Sequence, residues 1–520
     1  MPEPEPNPRL LPGWEWFGVG FILLCFLTVN LLVATRTPTV YIDEPVFADP
    51  AANLYYGSGF TSTMWGEDRH ELWCSQPPLY TALLYVFFKC FGFGLFQARA
   101  ANSVLAAAGA LLVWAAARRA RLVQSPVYRL VTLALILSGS LSVLTFRMIR
   151  YDVGMFLVSA LVFFTCCLPA GKRGRYLWVA LASIFCPLVG VPMLPFVGMM
   201  LLIFLAVYQF RGLPLAVSVG TGFTLGAGLL FLYFYHFGVL GHFLKFVHGA
   251  THNDTGTPAL VPTLKTILFG EQLGEESLLT SFFGNPMNYS VNMKTLFDYS
   301  AFLLFILFVL LASKIWRVTN GPIHRLILFI LATTLVLPPV IQLAGHYWSD
   351  YRWMTYIPLT IAVPRLLELS QEFSCAPMLR RAAFGVIGLS LSLGLPARSL
   401  LAVPDWSERS VTPLERVAAR VVQPSDVVIC QCRTYFAIRP HAQLVFCTGL
   451  SAMGEFRFIK DLPTNQVSLI CLYPTNVAEF ASIAGGKWKK VPLDNVPEAA
   501  ALSHTRYAVE FYRRDTNSTP

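Results

Sequence analysis

The sequence predicts an all-α polytopic membrane protein of about eleven transmembrane helices, followed by a small C-terminal α/β domain. Composition is the first reason: 55% of the 520 residues are hydrophobic and 13% are charged, whereas roughly a quarter of the residues in a soluble domain are charged. The second reason is that apolar stretches of membrane-spanning length recur throughout residues 1–402. The third is a change of pattern from residue 403 onward, where short strand-like segments replace the long apolar ones.

The apolar stretches define the predicted helices, because a helix needs about 20 apolar residues to cross the hydrocarbon core. One stretch, 176–210, is long enough for two crossings and has prolines near its middle, at Pro187, Pro192 and Pro195. With that stretch counted twice, ten stretches give eleven spans: residues 17–34, 100–117, 130–146, 153–171, 176–210, 212–235, 299–313, 326–345, 353–367 and 382–397.

The basic residues set the predicted orientation. Residues 77–94 are apolar, but they are short and begin with a double proline. If they crossed the membrane, the basic clusters 118–121 and 172–175 would both lie outside, against the inward bias of Lys and Arg. We therefore predict that residues 77–94 form an interfacial helix. The amino terminus is then cytoplasmic, and the loops 36–97 and 236–298 lie outside with the C-terminal domain.

That C-terminal domain, residues 403–520, is predicted to be a soluble extracytoplasmic α/β unit. Its alternating apolar pattern predicts four strands and one helix, at residues 426–431, 443–447, 467–472, 507–512 and, for the helix, 477–484. Four cysteines lie in the domain, and one disulfide among them is an open alternative if the domain is exported. They are Cys430, Cys432, Cys447 and Cys471.

The net charge of +10 would suggest a nucleic-acid partner if the protein were soluble. Here the basic residues cluster in short runs between apolar segments, as in the cytoplasmic loops of membrane proteins. No nucleic-acid-binding motif accompanies them. The predicted partner is therefore the lipid bilayer, and not nucleic acid.

Two carboxylates follow closely on the first predicted span, in the segment Tyr41-Ile42-Asp43-Glu44-Pro45. Pro45 is well placed as the first residue of a helix, which would make Glu44 the cap and fix Asp43 just before it. Carboxylates so near a membrane helix are costly in contact with lipid, so we expect them to face a wet cavity. There Asp43 could act as a general base toward an attacking hydroxyl. The alternative is a helix cap with solvated acids.

Arginines occur in two of the predicted outer loops, against the inward bias. Arg147 and Arg150 precede Asp152 in one loop, and Tyr351-Arg352 ends the last one. Guanidinium groups suit phosphate oxygens, so these arginines are candidates for holding an anion. The alternative is that Arg150 and Asp152 only pair with each other.

The large loop offers Lys245 and two histidines, His248 and His252. Histidines four residues apart could place two metal ligands on one helix face. No acidic residue lies between them, so a solvated or capping role is favoured. The sequence assigns no metal ligand and no cofactor; a divalent metal is possible but not indicated.

Four elements, in this order, resemble the GT-C glycosyltransferases, in particular the branch of the protein O-mannosyltransferases and aminoarabinose transferases. The resemblance covers about residues 15–370 and implies a GT-C-like fold for residues 1–402. Its elements are Asp43-Glu44, Gln76-Pro77-Pro78-Leu79-Tyr80, Arg147 with Arg150-Tyr151-Asp152, and Tyr351-Arg352.

The resemblance implies an inverting glycosyltransferase that moves a hexose or pentose from a polyprenyl-phosphate donor to an acceptor lipid, glycan or protein. The reaction would take place on the outer face of a bacterial inner membrane, with Asp43 as the base and Glu44 beside it. The donor phosphate would be bound by Arg147, Arg150 and Arg352. Many relatives have His or Lys before the double proline, where this chain has Gln76, so Arg99, Arg147 or Lys245 would supply the missing cation. The residues that would shape the site are Tyr41, Pro45, Gln76, Pro77, Pro78, Asp152 and Tyr351.

Two other classes of function are alternatives to a glycosyltransferase. A transporter or flippase of a lipid-linked or small anionic substrate would suit eleven spans, but it would predict charges within the spans and paired broken helices. Apart from Arg365, the predicted spans are free of charge. A structural or assembly protein would leave the outer acids and arginines without a role.

Overall fold

The computed structural model describes residues 13–64, 67, 69–169, 174–250, 293–319, 321–343, 351–374, 377–448, 464–474, 477–478, 481 and 485–515. Within them the predicted architecture is confirmed, with helices in the membrane part and a small sheet in the C-terminal part. The helices of the membrane part are α1 (Gly13–Val33), α2 (Asp43–Tyr55), α3 (Leu79–Phe91), α4 (Leu95–Arg119), α5 (Pro126–Ser138), α6 (Ser140–Arg147), α7 (Asp152–Cys166), α8 (Gly174–Ser183), α9 (Cys186–Val189), α10 (Met193–Tyr208), α11 (Leu213–His236), α12 (Leu240–Ala250), α13 (Met293–Trp316), α14 (Pro322–Leu343), α15 (Trp353–Glu372), α16 (Pro377–Leu393) and α17 (Leu395–Leu400).

Within the described residues, each predicted apolar stretch is mostly helical. By length and composition, four segments of the described chain are long and apolar enough to cross a membrane: α1, α4, α11 and the consecutive pair α16–α17. Seven shorter apolar helices of 10–17 residues accompany them. The stretch 176–210 divides near its prolines into α8, α9 and α10, because a proline inside a helix removes a backbone hydrogen bond.

Helix α3 follows directly on the double proline. Its 13 residues span about 20 Å at 1.5 Å per residue, which is less than the ~30 Å of a hydrocarbon core. The Lys89 ammonium lies 5.7 Å from the ring centroids of Tyr55 and Tyr85. The length of α3 fits the predicted interfacial helix, and its placement on the outer surface remains a prediction.

One predicted span is wrong in detail, because residues 130–146 do not form a single helix. Helix α5 ends at Ser138, and α6 begins after Gly139, whose backbone is extended (φ −68°, ψ 152°). The break lies in close contact with α15: a Cβ placed on Gly139 would lie 1.7 Å from the Tyr356 hydroxyl oxygen, so only glycine fits here without a shift. That hydroxyl donates a hydrogen bond to the Leu135 carbonyl at 3.2 Å.

We therefore expect Gly139→Ala to destabilise the membrane part, because the added methyl group must displace Tyr356. Overpacking of this kind typically costs about 1–3 kcal/mol. Gly198→Ala is the matched control, since a Cβ there meets nothing within 4 Å. Thermal unfolding of the two purified variants measures the difference, and Tyr356→Phe should recover part of the loss. Equal unfolding temperatures for the two glycine variants would contradict this packing.

The C-terminal domain contains a five-stranded sheet in the order β2-β1-β3-β5-β4. Strand β1 pairs in parallel with β2 and β3, while β5 is antiparallel to β3 and β4. The elements of the domain are α18 (Thr412–Val421), β1 (Val427–Gln431), α19 (Tyr435–Ile438), β2 (Leu444–Thr448), β3 (Leu469–Leu472), β4 (Trp488–Lys490), α20 (Pro497–Ser503) and β5 (Glu510–Arg514).

The sequence predicted the first three strands at nearly these positions. The last strand begins three residues later than predicted, and the strand β4 and the helices α18, α19 and α20 were missed. Strand β4 is only three residues long and mostly exposed. The predicted helix 477–484 falls mostly outside the described residues. The four cysteines of the domain are free. Cys430 and Cys447 are neighbours on paired strands, with sulfur atoms 3.7 Å apart.

Candidate active site

Asp43 is the first residue of α2, and not the residue before a cap. The predicted capping arrangement is wrong: the residue that precedes the helix is Ile42, and no side chain caps the helix there. Pro45 occupies the third helical position. The first four N–H groups of a helix have no partner within it, so proline is tolerated there without the loss of a hydrogen bond.

Arg150 joins two carboxylates on different elements. Its Nη1 lies 3.0 Å from Asp43 Oδ2, and its Nε lies 3.0 Å from Asp152 Oδ2. The alternative pairing of Arg150 with Asp152 therefore does form, but it is half of a larger group. The side chain of Asp43 is 15% exposed against 1% for Asp152 and 5% for Arg150. Asp43 is thus the more accessible of the two carboxylates.

Aromatic side chains from the last loop and α15 complete the group. The Trp353 indole N–H donates to Asp152 Oδ1 at 3.0 Å. The hydroxyls of Tyr151 and Tyr351 are 2.5 Å apart, and the Tyr151 ring meets Phe47 of α2 edge-on with centroids 4.9 Å apart. Three segments that are far apart in sequence, around residues 43, 150 and 351, therefore meet at one place.

Glu44 faces a different partner. It is fully buried and forms a bidentate ion pair with Arg99, with distances of 2.9 and 2.7 Å. Its two oxygens also accept the backbone N–H groups of Tyr41 at 2.8 Å and Ile149 at 3.0 Å. Arg99 in turn donates to the carbonyls of Ala34 and Pro38. Glu44 thus links α2, α4 and the loop before Arg150, which is a structural role.

The double-proline segment supports the same loop from the other side. Tyr80, in the first turn of α3, donates to Asn102 Oδ1 at 2.8 Å, and the Asn102 amide donates to the Met148 carbonyl. Gln76 is buried and accepts the N–H of Val191 at 3.3 Å. Tyr80 therefore ties α3 to α4 and, through Asn102 and Met148, to the segment that carries Arg150.

No protein-family model and no curated protein matches this sequence. Solved structures do match its fold. ArnT from Cupriavidus metallidurans in the apo state has a TM-score of 0.62 at 13% identity, over 98% of this chain and 99% of ArnT. ArnT bound to undecaprenyl phosphate has a TM-score of 0.60, also at 13% identity, over 98% of this chain and 100% of ArnT. The Archaeoglobus fulgidus oligosaccharyltransferase in the apo form has a TM-score of 0.53 at 9% identity, over 99% of this chain and 76% of that one.

Both neighbours are GT-C glycosyltransferases. The chain has a GT-C fold. It is a polytopic membrane protein with a small C-terminal α/β domain, and the resemblance drawn from the four sequence elements is confirmed at the level of the fold.

Within the GT-C fold, three other basic residues that were predicted to bind the donor phosphate lie in different surroundings. Arg352 is partly buried and lies in the chain between Tyr351 and Trp353, two residues of the group around Asp43. Arg147 turns toward α1 and α17, where it donates to Asn30 and Ser399, both at 2.7 Å. Lys245 is exposed on α12. Among the described contacts of Asp43, Arg150 and Asp152, none is made by Lys245. Of the predicted histidines, His252 lies outside the described residues.

The C-terminal domain docks on α2 through a carboxylate that the sequence analysis did not single out. Asp49 is buried, accepts the Tyr435 hydroxyl at 2.7 Å, and also binds Ser62 and the Thr63 N–H. Burial raises the pKa of Asp49. Arg439 of the domain donates to Asn53 of α2 at 2.9 Å. These contacts fix the helix that begins at Asp43, and no local sequence signal could reveal partners so far along the chain.

In the part of the chain that the structure describes, three residues that could bind a metal ion lie close together, two in the loop 36–97 and one on α12. The donor atoms of Glu67, Cys74 and His242 lie within 4.8 Å of one another, and Glu71 contacts His242 at 3.4 Å. Carboxylate, thiolate and imidazole are zinc ligands. Burial raises the pKa of Glu67 to about 7 and that of Cys74 to about 12. A bound cation would therefore have to displace protons from this cluster.

Proposed function

We propose that this protein is a membrane glycosyltransferase that transfers a sugar from a polyprenyl-phosphate donor to an acceptor hydroxyl on the extracytoplasmic face. The observation that carries the proposal is the Asp43–Arg150–Asp152 group, in which one guanidinium lies beside a carboxylate that is partly open to solvent. The GT-C fold supports it: two structures with this fold contain undecaprenyl phosphate and dolichol phosphate respectively. The expected membrane is the bacterial inner membrane, with the amino terminus in the cytoplasm.

Asp43 is proposed as the base. The acceptor hydroxyl approaches the anomeric carbon, its oxygen forms the new glycosidic bond, and its proton passes to the Asp43 carboxylate. The bond between the anomeric carbon and the phosphate oxygen breaks, and its electron pair leaves with the polyprenyl phosphate. Attack opposite the leaving group inverts the anomeric centre.

Arg150 and Arg352 are proposed to stabilise the leaving phosphate. Negative charge grows on that group as the bond breaks, and cations already fixed in a water-poor site stabilise it most in the transition state. Arg150 is fixed by its two carboxylates. Arg352 lies in the chain between Tyr351 and Trp353, whose side chains contact the same group. The hydroxyl-bearing acceptor is proposed to be a lipid, glycan or protein.

The test is donor use by an Arg150→Gln variant. A charge-assisted hydrogen bond to a buried anion is worth about 1.5–3 kcal/mol, so we expect the KM for the lipid-linked donor to rise about ten- to a hundredfold. Arg150→Lys should lose less, because it keeps the charge. Arg175→Gln is the matched control, since Arg175 lies on α8 and contacts Leu168 and Tyr176. Equal effects of the Arg150 and Arg175 variants on the KM for the donor would contradict the assignment of Arg150. Transport of the intact donor across the membrane would indicate a transporter.

A further inference from the structure

A cavity of about 230 Å³ lies where the segment after α1 meets α6, α17 and the start of the C-terminal domain. Three arginines line it, Arg147, Arg398 and Arg409, together with Thr37 and Thr39. Among the described residues that line the cavity, none is acidic. Its volume is far above the ~10–15 Å³ that one water needs, so it has room for a hydrated phosphate group. Guanidinium and hydroxyl groups in this arrangement are donors suited to phosphate oxygens.

Within the part of the chain that the structure describes, Arg147 is held in place by neutral partners. It is 4% exposed, and its two described hydrogen-bond partners, Asn30 and Ser399, are neutral side chains. A buried cation is costly unless an anion compensates it. These two hydrogen bonds therefore hold the guanidinium in place. An anion bound in the cavity would balance its charge.

Arg409 adds a donor to the same cavity. Its Nε is buried and has no hydrogen-bond partner among the described residues. Its Nη2 lies 3.3 Å from Asp405, but that carboxylate also pairs with Arg506. One negative charge is thus shared between two arginines, so Asp405 balances the charge of Arg409 only in part.

The surface beside the cavity is apolar. Leu400 and Val403 are 68% and 57% exposed, and Leu32 at the end of α1 is 67% exposed. Trp406 is also exposed, and Arg36 both donates to its carbonyl at 2.8 Å and lies 5.1 Å from its ring centroid. Tryptophan and arginine beside exposed aliphatic side chains are typical of the headgroup level of a bilayer.

We propose that this cavity binds the phosphate of an anionic phospholipid from the surrounding bilayer, with the acyl chains against the exposed face of α1. The apolar surface beside the arginines favours a lipid over a free anion. Basic pockets at the ends of membrane helices bind lipid headgroups by the same chemistry. None of the residues that line the cavity belongs to the Asp43–Arg150–Asp152 group, and the proposal does not depend on the transferase activity.

The test measures lipid binding by the purified full-length protein with native mass spectrometry. Short-chain phosphatidylglycerol is titrated, with phosphatidylcholine, inorganic phosphate and a polyprenyl phosphate as competitors. Because charge-assisted hydrogen bonds are lost, Arg398→Gln/Arg409→Gln should weaken phosphatidylglycerol binding by about tenfold or more. Arg398→Lys/Arg409→Lys should keep most of it. Arg381→Gln, an exposed arginine of α16, is the matched control, and Asp43→Asn should bind phosphatidylglycerol as the wild type does.

Three results would overturn the proposal. The first is equal phosphatidylglycerol binding by the wild type and the glutamine pair. The second is competition by inorganic phosphate as strong as that by the lipid, which would make the cavity a site for free anions. The third is a loss of polyprenyl-phosphate binding in place of phospholipid binding, which would assign the cavity to the donor. If the variant Arg398→Gln/Arg409→Gln does not fold, the test compares the two lipids on the wild-type protein. Equal affinity for phosphatidylglycerol and phosphatidylcholine would then contradict an anionic-lipid site.

Discussion

Asp43→Asn is expected to lower turnover by at least about a hundredfold, because it removes the proton acceptor and keeps the size of the side chain. The fold should survive the change. Arg150 retains its contact with Asp152 at 3.0 Å, so the substitution does not leave a buried guanidinium without a carboxylate. The measurement is turnover at saturating donor with matched amounts of folded protein.

Asp43→Glu is the control for this prediction. It restores a carboxylate at a longer reach, so some activity should return. Turnover of Asp43→Asn within a few-fold of the wild type would show that another group takes the proton. If Asp43→Glu were as inactive as Asp43→Asn, the exact reach of the carboxylate would matter as much as its basicity.

The second large effect is expected at Glu44, and it concerns stability. Glu44→Gln leaves Arg99, whose side chain is 2% exposed, without its counter-charge, and breaking a buried ion pair typically costs about 3–5 kcal/mol. The expected result is a markedly lower thermal unfolding temperature of the purified protein. A neutral glutamine also weakens the two backbone contacts that Glu44 makes to Tyr41 and Ile149.

Glu372→Gln provides the comparison. Glu372 also faces an arginine, Arg365, but at 3.6 Å and with 46% of its side chain exposed. Exposed pairs of this kind contribute about 0–1 kcal/mol, so the unfolding temperature should hardly change. A similar small effect at Glu44 would refute its structural role. Loss of activity in a Glu44→Gln protein of wild-type stability would move the catalytic role from Asp43 to Glu44.

The sequence predicted the members of the candidate site better than their contacts. Asp43 and Arg150 were found because charged residues in outer loops next to membrane helices depart from the usual distribution, and Tyr351 was found through the resemblance to the GT-C glycosyltransferases. The structure brings these three segments together. The catalytic and phosphate-binding roles of the residues remain predictions.

The missed features depend on tertiary contacts. Glu44 was predicted as a helix cap, whereas its partner Arg99 lies 55 residues away on α4. Gly139, at the break between α5 and α6, packs closely against Tyr356, more than 200 residues later. The docking of Tyr435 on Asp49 joins positions 386 residues apart. Hydrophobic periodicity reports on single elements, so it could predict the helices but not these contacts between them.

The central claim is that this protein breaks the bond between a sugar and polyprenyl phosphate. The most direct measurement follows labelled polyprenyl-phosphate hexoses and pentoses with the purified protein in lipid vesicles. The account predicts that a label leaves one of these donors, that free polyprenyl phosphate accumulates in equal amount, and that Asp43→Asn abolishes both. A donor that crosses the bilayer with its sugar still attached, equally in the wild type and Asp43→Asn, would contradict the account and identify a transporter.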